Sequence, residues 1–375
     1  MRVLQVLGSS AGGVGRHVGQ AASALHAAGH DVVVAGPAAV RPLVGADVPF
    51  EIVEIADRPR VGDVAAVRRL AALGRDAEVV HAHGLRAGAL AVLAARGLRR
   101  AGAGGGRRTR VVVTLHNLPV GGRAVRGVSA VLERVVGRGA DVVLGVSPDL
   151  VALAAARGAQ DTGLALVPAP QAASVVDDPE GARRARASLG LGDDERLLVT
   201  VARLAPQKGL DVLLAAAREL TGLTSARWRW VVAGDGPLRD GLEADARASG
   251  VPVELLGARS DVPLLLDVAD VVVSTARWEG QPLWLQEALA HGAAVVATDV
   301  GGTRAVTGAA AVLVSPSPAD AVARAVAAAV GTLLADDVAR DALRVLARER
   351  AVHLPTAADV VGQLEAVYQG RRAGG

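Results

Sequence analysis

Short runs of valine and leucine recur along the whole chain, and no other feature constrains its fold as much. Each run is about as long as a strand and nearly free of charge, as in strands buried on both faces of a parallel sheet. Longer stretches of Ala, Leu and Arg with helical spacing lie between them and supply the crossovers that parallel strands require. The pattern predicts an α/β fold. In the first half we predict strands at Val3–Leu7, Asp31–Ala35, Val79–Ala82, Val111–Leu115 and Val142–Val146, and helices near 14–28, 62–73, 85–100, 124–138 and 148–157.

The second half repeats this alternation after Val167–Pro179, a segment whose three prolines and lack of helical spacing indicate a linker. We therefore predict domains at 1–170 and 171–355, and a last helix within 356–375, ending near Tyr368, that crosses back toward the first domain. Two doubly wound, Rossmann-like domains would face a central cleft, with ligands beyond the carboxyl ends of the strands. The predicted strands lie near 196–202, 229–233, 253–256, 270–274, 294–298 and 311–314, and the helices near 209–221, 237–248, 282–291 and 318–334.

Composition excludes several classes of protein. The chain has 375 residues, enough for two domains, and 51% of them are apolar. It has no cysteine, which excludes disulfide frameworks, thiolate metal sites and cysteine nucleophiles. Its beginning indicates a strand entering a glycine turn, and no uncharged apolar run reaches the length of about 18 residues typical of a membrane span. We expect a cytoplasmic protein that is neither secreted by a signal peptide nor membrane-spanning.

Basic residues are spread unevenly. Of the 41 basic residues only Lys208 is lysine, so arginine abundance reflects composition and does not by itself indicate nucleic-acid binding. Residues 1–170 have 20 arginines against 12 acids, whereas 171–375 have 21 basic residues against 26 acidic ones. A cluster in the first half fits either an anionic membrane or acceptor, or an ordinary solvated surface. Its members are Arg96, Arg99, Arg100, Arg107, Arg108 and Arg110.

Glycines follow the first strand in the sequence Gly8-Ser-Ser-Ala-Gly-Gly-Val-Gly15, which opens a helix. Backbone N–H groups and the helix dipole at such a position can hold an anion, and a tight turn that needs small residues is the alternative. The spacing is not that of a dinucleotide-binding fingerprint, and the second strand ends without an acid for a ribose hydroxyl. An NAD-type oxidoreductase is therefore disfavoured.

Histidines end two strands of the first half: His81 and His83 on one, and His116 on the other. At the carboxyl end of a strand an imidazole can donate a hydrogen bond or transfer a proton. A purely structural role is the alternative for all three. Metal ligation is disfavoured because no carboxylate accompanies them in a ligand pattern.

Two cations, Arg203 and Lys208, lie in the loop after the strand at 196–202, just before a helix. In that position they can bind two phosphates from different sides. The only lysine of the chain stands here, where a compact ammonium reaches an oxygen in a way that a planar guanidinium does not. A solvated loop charge is the alternative.

Two glutamates accompany the helix predicted at 282–291, Glu279 in the loop before it and Glu287 in its second turn. Ionised carboxylates only accept hydrogen bonds, so both suit a ligand rich in hydroxyl groups, while their placement does not define a hydrolytic pair. Further glycine turns end neighbouring strands, at Ala233-Gly-Asp-Gly-Pro237 and Ala297-Thr-Asp-Val-Gly-Gly-Thr303.

In the order and spacing of these motifs the chain resembles the retaining glycosyltransferases of family four, which have the GT-B fold of two Rossmann-like domains. The resemblance covers nearly the whole chain. It depends most on Val201-Ala-Arg-Leu-Ala-Pro-Gln-Lys-Gly209, on Ala233–Pro237, and on the two glutamates followed by Ala-x-Gly-x-x-Val-Val-Ala-Thr-x-x-Gly-Gly302. Gln281 stands where many relatives have Phe, and Pro168-Ala-Pro170 where Pro-Asn-Gly is common.

The resemblance implies a role for each residue that matches. Arg203 and Lys208 would bind the diphosphate of a nucleotide-sugar and stabilise the leaving group. Glu287 would hold the ribose, Glu279 the hydroxyls of the donor sugar, and His116 would lie beside the anomeric carbon. The implied catalytic residues are His116, Arg203, Lys208 and Glu279; other donor contacts would come from Gly13, Gly15, Gly234, Asp235, Gly236, Gly280, Gln281, Pro282, Leu283 and Glu287, and acceptor contacts from Gly12, Arg16 and His83.

The resemblance therefore implies an enzyme that moves a sugar from a nucleotide-diphosphate sugar, a UDP- or GDP-sugar, to a cell-envelope lipid, glycan or metabolite, with retention. It would need no metal and no cofactor and bind no nucleic acid. The basic charge of the first domain, and not the resemblance, suggests contact with the anionic inner face of a bacterial membrane, with an ordinary solvated surface as the alternative. Two alternatives stay open: a GT-B sugar-nucleotide epimerase or hydrolase, which would act without an acceptor, and a non-catalytic nucleotide-binding module.

Overall fold

The computed structural model describes residues 1–9, 13–56, 58–100, 108–118, 122–168, 179–192 and 194–373. They form two compact units. One comprises Met1–Pro168 together with Pro355–Gly375, and the other comprises Ala169–Leu354. The first unit is thus built from two separate stretches of chain, and the second unit from one.

A seven-stranded parallel sheet lies at the centre of the first unit, in the order β3-β2-β1-β4-β5-β6-β7. Helices connect successive strands, as the βαβ crossover requires. The elements of the first stretch are β1 (Arg2–Leu7), α1 (Gly13–Ala27), β2 (Asp31–Gly36), β3 (Phe50–Ile52), α2 (Asp63–Leu73), β4 (Val79–His83), α3 (Leu85–Arg100), β5 (Arg110–Leu115), α4 (Arg123–Gly139), β6 (Val142–Gly145), α5 (Pro148–Ala156) and β7 (Thr162–Leu164).

The second unit has a six-stranded parallel sheet in the order β10-β9-β8-β11-β12-β13. One apolar core surrounds Trp230 under α7 and α12, and another surrounds Leu285 on the opposite face, so helices cover both faces. The elements are α6 (Pro179–Ser188), β8 (Arg196–Val201), α7 (Leu210–Leu223), β9 (Trp228–Ala233), α8 (Arg239–Ser249), β10 (Val253–Gly257), α9 (Val262–Val268), β11 (Val271–Ser274), α10 (Leu283–Ala290), β12 (Val295–Thr298), α11 (Thr303–Thr307), β13 (Val312–Val314), α12 (Val322–Ala335) and α13 (Asp337–Val352).

The last helix, α14 (Ala357–Tyr368), belongs to the first unit. It begins at a capping box, in which the Thr356 hydroxyl and the Asp359 carboxylate each accept from the other residue's backbone N–H. Its side chain Gln363 bonds both the Leu164 carbonyl and the Leu166 N–H at 2.8 Å. These contacts attach α14 to the strand β7 and to the segment that follows it.

Four polar residues interrupt the apolar strands of the first sheet: Gln5 on β1, His81 and His83 on β4, and Thr114 on β5. Gln5 is in register with His81, and His83 is in register with Thr114. Paired residues of neighbouring strands point to the same side, and so do residues two apart, so all four share one face of the sheet. Each is at most 2% exposed, and buried polar groups need hydrogen-bond partners.

Every predicted strand and helix is present, with ends that differ by a few residues; α12 begins at Val322 rather than near 318. The prediction missed β3 and β7, which have three residues each and lie at the edges of the sheet. It also missed α6, α9, α11 and α13. The predicted linker extends one residue too far, because Pro179 is the first residue of α6. Proline suits this position because the first N–H groups of a helix have no partner within the helix. No helix in the described ranges is long and apolar enough to cross a membrane.

Candidate active site

Four loops lie along the carboxyl edge of the second sheet. They follow β9, β8, β11 and β12, which are neighbours in the sheet in that order. Backbone hydrogen bonds join each loop to the next, so the four form one continuous surface. The bonds run from Leu204 N–H to the Asp235 carbonyl (3.0 Å), from Arg277 N–H to the Gln207 carbonyl (2.8 Å) and from Gly302 N–H to the Glu279 carbonyl (3.0 Å).

Two glycines permit this close approach of the loops. Gly209 has φ +59°, and a Cβ there would lie 2.1 Å from the Thr275 carbonyl oxygen. Gly301 has φ +54°, and a Cβ there would lie 1.8 Å from the Glu279 carbonyl oxygen. Residues with a side chain rarely adopt either φ, and a Cβ at either position would collide with the carbonyl oxygen. Gly209 therefore allows the Lys208 loop to approach the loop after β11, and Gly301 allows the loop after β12 to approach the Glu279 backbone.

Lys208 and Glu279 form an ion pair, with Nζ 2.5 Å from Oε1. The Glu279 side chain is 7% exposed and that of Lys208 is 18% exposed. An ion pair so shielded from water is a strong electrostatic contact, and either charge without the other would be costly. The structure thus joins one predicted phosphate ligand directly to the predicted sugar ligand.

A second contact between the same two loops was not foreseen from the sequence. The Arg277 guanidinium donates to both Asp211 carboxylate oxygens, at 2.8 and 2.5 Å, and to the Pro206 carbonyl at 3.0 Å. This pairing holds the pKa of Asp211 below its ordinary value. Gln207 adds a bond from its amide to the Trp278 carbonyl at 2.9 Å. These residues fix the loop that presents Lys208 against the loop that presents Glu279.

The other donor residues predicted in the second unit lie in the same four loops or at the start of α10. Arg203 and Asp235 are exposed, and Glu287 is half-buried in the second turn of α10. Pro282, predicted in the first helical turn, is the residue just before α10. The rest of the set comprises Gly234 and Gly236 after β9, and Gly280, Gln281 and Leu283 around the start of α10; all of these are half-buried.

Buried polar side chains form an unbranched chain of hydrogen bonds in the first unit, on the polar face of its sheet. It connects three strands with the loop after β5 and with α14. The successive bonds are His116 Nε2 to His83 Nδ1 (3.2 Å), His83 Nε2 to Gln5 Oε1 (2.7 Å), Gln5 Nε2 to Tyr368 Oη (3.0 Å), Tyr368 Oη to His81 Nδ1 (2.7 Å), and His81 Nε2 to Thr114 Oγ1 (2.8 Å).

A fourth histidine, His17 in the second turn of α1, adjoins this chain and was not singled out from the sequence. Its ring lies edge-on to that of His116, with centroids 5.7 Å apart. It is 6% exposed, and its Nδ1 has no hydrogen-bond partner in the part of the chain that the structure describes. Its place four residues after Gly13, next to the glycine motif, is the signal that could have identified it.

Burial keeps all four imidazoles neutral. It lowers the pKa of His17 to about 4, and burial together with the nearby His17 imidazole lowers that of His81 to about 3. The pKa values of His83 and His116 lie well below 6.5 for the same two reasons. Burial also raises the pKa of Tyr368, which keeps its proton.

The predicted acceptor residues have different surroundings. Gly12 lies outside the described residues. Arg16 belongs to the first turn of α1, as do Gly13 and Gly15, which were predicted as donor contacts. His83 is 2% exposed and both of its ring nitrogens are bonded inside the unit, so a direct contact with an acceptor would require one of these bonds to break.

The basic cluster of the first half is only partly described. Arg107 and the side chains of Arg99 and Arg100 lie outside the described part of the chain. Arg108 is ion-paired with Asp141. Across the described ranges, no three histidine or carboxylate side chains are grouped so that they could hold a metal ion.

Two family models match the chain, one in each half. "Glycosyl transferase 4-like domain" matches residues 12–170, and "Glycosyl transferases group 1" matches residues 195–336, which include the four loops described above. The chain belongs to the group 1 glycosyltransferases. This membership confirms the family to which the sequence motifs pointed.

Curated relatives match over a limited region. A D-inositol 3-phosphate glycosyltransferase of Mycobacterium bovis is 37% identical over 136 residues, which are 33% of this chain and 27% of the relative. A glycosyltransferase of Methanocaldococcus jannaschii is 37% identical over 121 residues, 31% of this chain and 30% of the relative. The matched part is thus less than a third of either relative's length.

Solved structures match over almost the whole chain. The HepE protein of Anabaena, solved in complex with UDP, has a TM-score of 0.80 at 18% identity and covers 98% of this chain and 100% of its own. The sucrose-phosphate synthase of Thermosynechococcus elongatus has a TM-score of 0.74 at 20% identity and covers 98% of both chains. The likeness confirms the predicted fold, the GT-B fold with two Rossmann-like domains.

Proposed function

We propose that the chain is a glycosyltransferase that moves a sugar from a nucleotide-diphosphate sugar to an acceptor with retention of anomeric configuration. The observation that carries this proposal is the Lys208–Glu279 pair at the carboxyl edge of the second sheet, within the region that matches the group 1 model. A cation and a carboxylate held side by side suit the phosphate and the sugar of one ligand. HepE, whose fold is similar, was solved with UDP and with UDP-glucose, which supports a nucleotide-sugar donor.

The donor would contact all four loops of the second sheet. Lys208 and the exposed Arg203 would bind the diphosphate and stabilise the charge that develops on the leaving group. Glu279 would accept hydrogen bonds from the sugar hydroxyls and Glu287 from the ribose. The glycine turns after β9 and before α10 would allow the ligand to approach the backbone. His116 of the first domain would contact the sugar near its anomeric carbon.

We propose that the two cations carry out the task that a metal performs in other transferases, so that catalysis needs no metal and no cofactor. The donor would be a UDP- or GDP-sugar, and the acceptor a cell-envelope lipid, glycan or metabolite. An epimerase or hydrolase acting on the same donor is the alternative within this fold, and it would turn over nucleotide-sugar without any acceptor. A binding module without catalysis would bind nucleotide but leave the sugar bond intact.

Nucleotide binding is the first property to test. UDP, GDP, ADP and dTDP should be added separately, with EDTA or with Mg²⁺, while the midpoint of thermal unfolding is followed. A ligand at 100 times its Kd stabilises by about 2.7 kcal/mol, which raises Tm by several degrees in a domain of this size. We expect one nucleotide to produce this shift equally with EDTA and with Mg²⁺.

Arg203→Ala is the informative variant, because this exposed guanidinium has no ion-pair partner in the described part of the chain. It should abolish most of the nucleotide shift and leave the Tm of the protein alone unchanged. Arg247→Ala, at the exposed end of α8, is the matched control and should keep the full shift. A shift that survives Arg203→Ala would refute the phosphate role, and no shift with any nucleotide would refute the donor site.

We further propose that the protein works at the cytoplasmic face of an anionic membrane, which it approaches through its first domain. The helix α4 supports this. Its buried side faces the domain, while exposed valines lie beside arginines on the rest of its surface, as in helices that lie in a membrane interface. The exposed residues are Val125 (45%), Val128 (43%), Val131 (58%), Arg123, Arg134 and Arg138.

Vesicle sedimentation tests this surface. The protein should pellet with vesicles of phosphatidylglycerol and phosphatidylcholine, and less so as salt rises, because screening weakens the attraction. Val128→Ser with Val131→Ser should reduce pelleting several-fold, whereas Arg247→Ala in the second domain should not. Equal pelleting with pure phosphatidylcholine would show that charge plays no part, and none with either would refute membrane contact.

A further inference from the structure

The hydrogen-bond chain of the first domain has a defined direction, meaning that the donor and the acceptor of each bond are fixed. Gln5 sets it, because its amide nitrogen can only donate and its amide oxygen can only accept. Its nitrogen lies 3.0 Å from Tyr368 Oη and its oxygen 2.7 Å from His83 Nε2. Each neighbour of Gln5 is therefore committed to one role, as acceptor on one side and as donor on the other.

On the Tyr368 side the donor-to-acceptor direction continues to Thr114, where the hydrogen-bond chain ends. The phenol oxygen accepts from Gln5 and must give its own proton to His81 Nδ1, 2.7 Å away. A neutral imidazole that accepts at Nδ1 carries its proton on Nε2, and His81 Nε2 donates to Thr114 Oγ1 at 2.8 Å. Every bond on this side has one donor and one acceptor.

On the other side the direction continues to His116. His83 carries its proton on Nε2, because Gln5 only accepts there, so His83 Nδ1 has a free lone pair. His116 Nε2, at 3.2 Å, must then supply a proton to that lone pair. A neutral imidazole has one ring proton, so His116 Nδ1 is left without one.

His116 is buried, at 7% exposure, but its bare nitrogen is not fully enclosed. It has no hydrogen-bond partner in the described ranges, and it is not among the enclosed, unpartnered side-chain atoms that those ranges contain. The neighbouring His17 Nδ1, by contrast, is both enclosed and unpartnered. His116 thus offers a hydrogen-bond acceptor at the edge of the cluster.

We infer that Gln5, His83 and Tyr368 are positioning residues that fix the tautomer of His116, with the proton on Nε2 and an acceptor lone pair on Nδ1. In that form His116 accepts a hydrogen bond from a hydroxyl group of the donor sugar or the acceptor, and it cannot donate one. This catalytic consequence rests on the proposed function, whereas the tautomer itself does not. The low pKa of His116 supports the inference, because a protonated ring would donate from both nitrogens.

Removal of the Tyr368 hydroxyl should change the tautomer of His116. Without the phenol, the Gln5 amide nitrogen has no acceptor on that side, and it regains one when the amide turns over toward His83. With its nitrogen toward His83, Gln5 would donate, His83 would carry its proton on Nδ1, and His116 would have to accept at Nε2. In Tyr368→Phe the hydrogen-bond chain can therefore adopt either donor-to-acceptor direction.

Nitrogen-15 NMR of the full chain, labelled on its eight histidines, reads the tautomer directly, since protonated and bare ring nitrogens have well-separated shifts. His116 is assigned by the signal that His116→Gln removes. In the wild type at pH 7 we expect a protonated Nε2 and a bare Nδ1 on His116. The opposite pattern would overturn the inference, whether or not the protein is an active transferase.

In Tyr368→Phe we expect the two His116 nitrogens to show mixed, averaged shifts. With a donor that the wild type uses, kcat should fall about tenfold while the donor KM stays within about twofold, because an interaction of the transition state is lost. A wild-type His116 pattern in this variant would remove Tyr368 from the positioning role.

Gln363→Met is the matched control, because it deletes the bonds that attach α14 to the segment after β7 but leaves the hydrogen-bond chain intact. It should keep the wild-type His116 pattern and kcat. If it reproduces the Tyr368→Phe result, loose docking of α14 is the cause and the inference fails. If the wild type has the expected tautomer but turns over no nucleotide-sugar, the proposed function fails and the tautomer assignment stands.

Discussion

At the scale of single residues, the pairing of Lys208 with Glu279 determines how substitutions in the second domain must be interpreted. A variant that removes either charge alters a predicted ligand contact and also leaves the other charge shielded from water without a partner. Loss of activity in Lys208→Ala alone therefore does not identify a phosphate ligand. Arg203, exposed and without an ion-pair partner in the described ranges, has no such ambiguity.

A double-mutant cycle measures the pair. We expect Lys208→Met to lower the free energy of unfolding of the second domain by about 3 kcal/mol, because it isolates a shielded carboxylate. Glu279→Gln should cost less, since Lys208 is the more exposed partner. The double variant should cost less than the sum of the two by about 1–3 kcal/mol.

Urea unfolding followed by tryptophan fluorescence suits this measurement, because all four tryptophans lie in the second domain. Strict additivity of the two substitutions would mean that the ion pair contributes nothing to stability.

The residue types of this site were predictable and their contacts were not. Lys208 stands out as the only lysine, and Glu279 as a carboxylate before a helix, so both were identified from local sequence. They are 71 residues apart in the chain, and no local pattern shows that they touch. His116 was identified in the same way, whereas its link to Tyr368 depends on a helix that returns from the far end of the sequence.

At the scale of elements, the loops of the second sheet depend on glycine turns that place two backbone segments in contact. Gly301 follows β12 and lies against the backbone of Glu279. The sequence predicted a glycine turn here because Gly-Gly follows a valine strand. It did not predict what the turn approaches, since the register of parallel strands decides which loops become neighbours. Three-residue strands such as β3 and β7 escaped prediction because they are too short to show a pattern.

Gly301→Ala should destabilise the second domain by more than about 3 kcal/mol, because a methyl group would collide with backbone in addition to the cost of positive φ. Gly250→Ala, which has φ +65° and nothing within 4 Å of the new Cβ, is the control and should cost only about 1–2 kcal/mol. Thermal unfolding by tryptophan fluorescence compares them. Equal losses would mean that the Gly301 backbone relaxes without moving Glu279.

At the scale of the whole molecule, the two domains should respond differently to acid. The first domain contains four buried, neutral histidines with lowered pKa values. In the unfolded chain a histidine has a pKa near 6.5, so below that pH the unfolded state binds protons that the folded state does not. Stability is complete above about pH 6.5 and declines as the pH falls toward the folded pKa values.

We expect the first domain to lose about 1.4 kcal/mol per pH unit for each of His17 and His81 between pH 6.5 and about 4. Calorimetry should show its transition falling with pH, while the transition that tryptophan fluorescence reports, in the second domain, changes little. His81→Gln should reduce the slope by about one proton. If both transitions move together, the histidine cluster is not the cause.

The two-stretch construction of the first domain also sets an order of events during protein synthesis. A ribosome delivers residues 169–354 before it delivers Tyr368, so the second domain can fold while the first still lacks the helix that covers Gln5 and His81. The domain that comes first in the gene is therefore completed last. Until then its polar sheet face is open to water and to chaperones, and a premature stop before residue 357 would leave a nascent chain with one finished domain and one that cannot close.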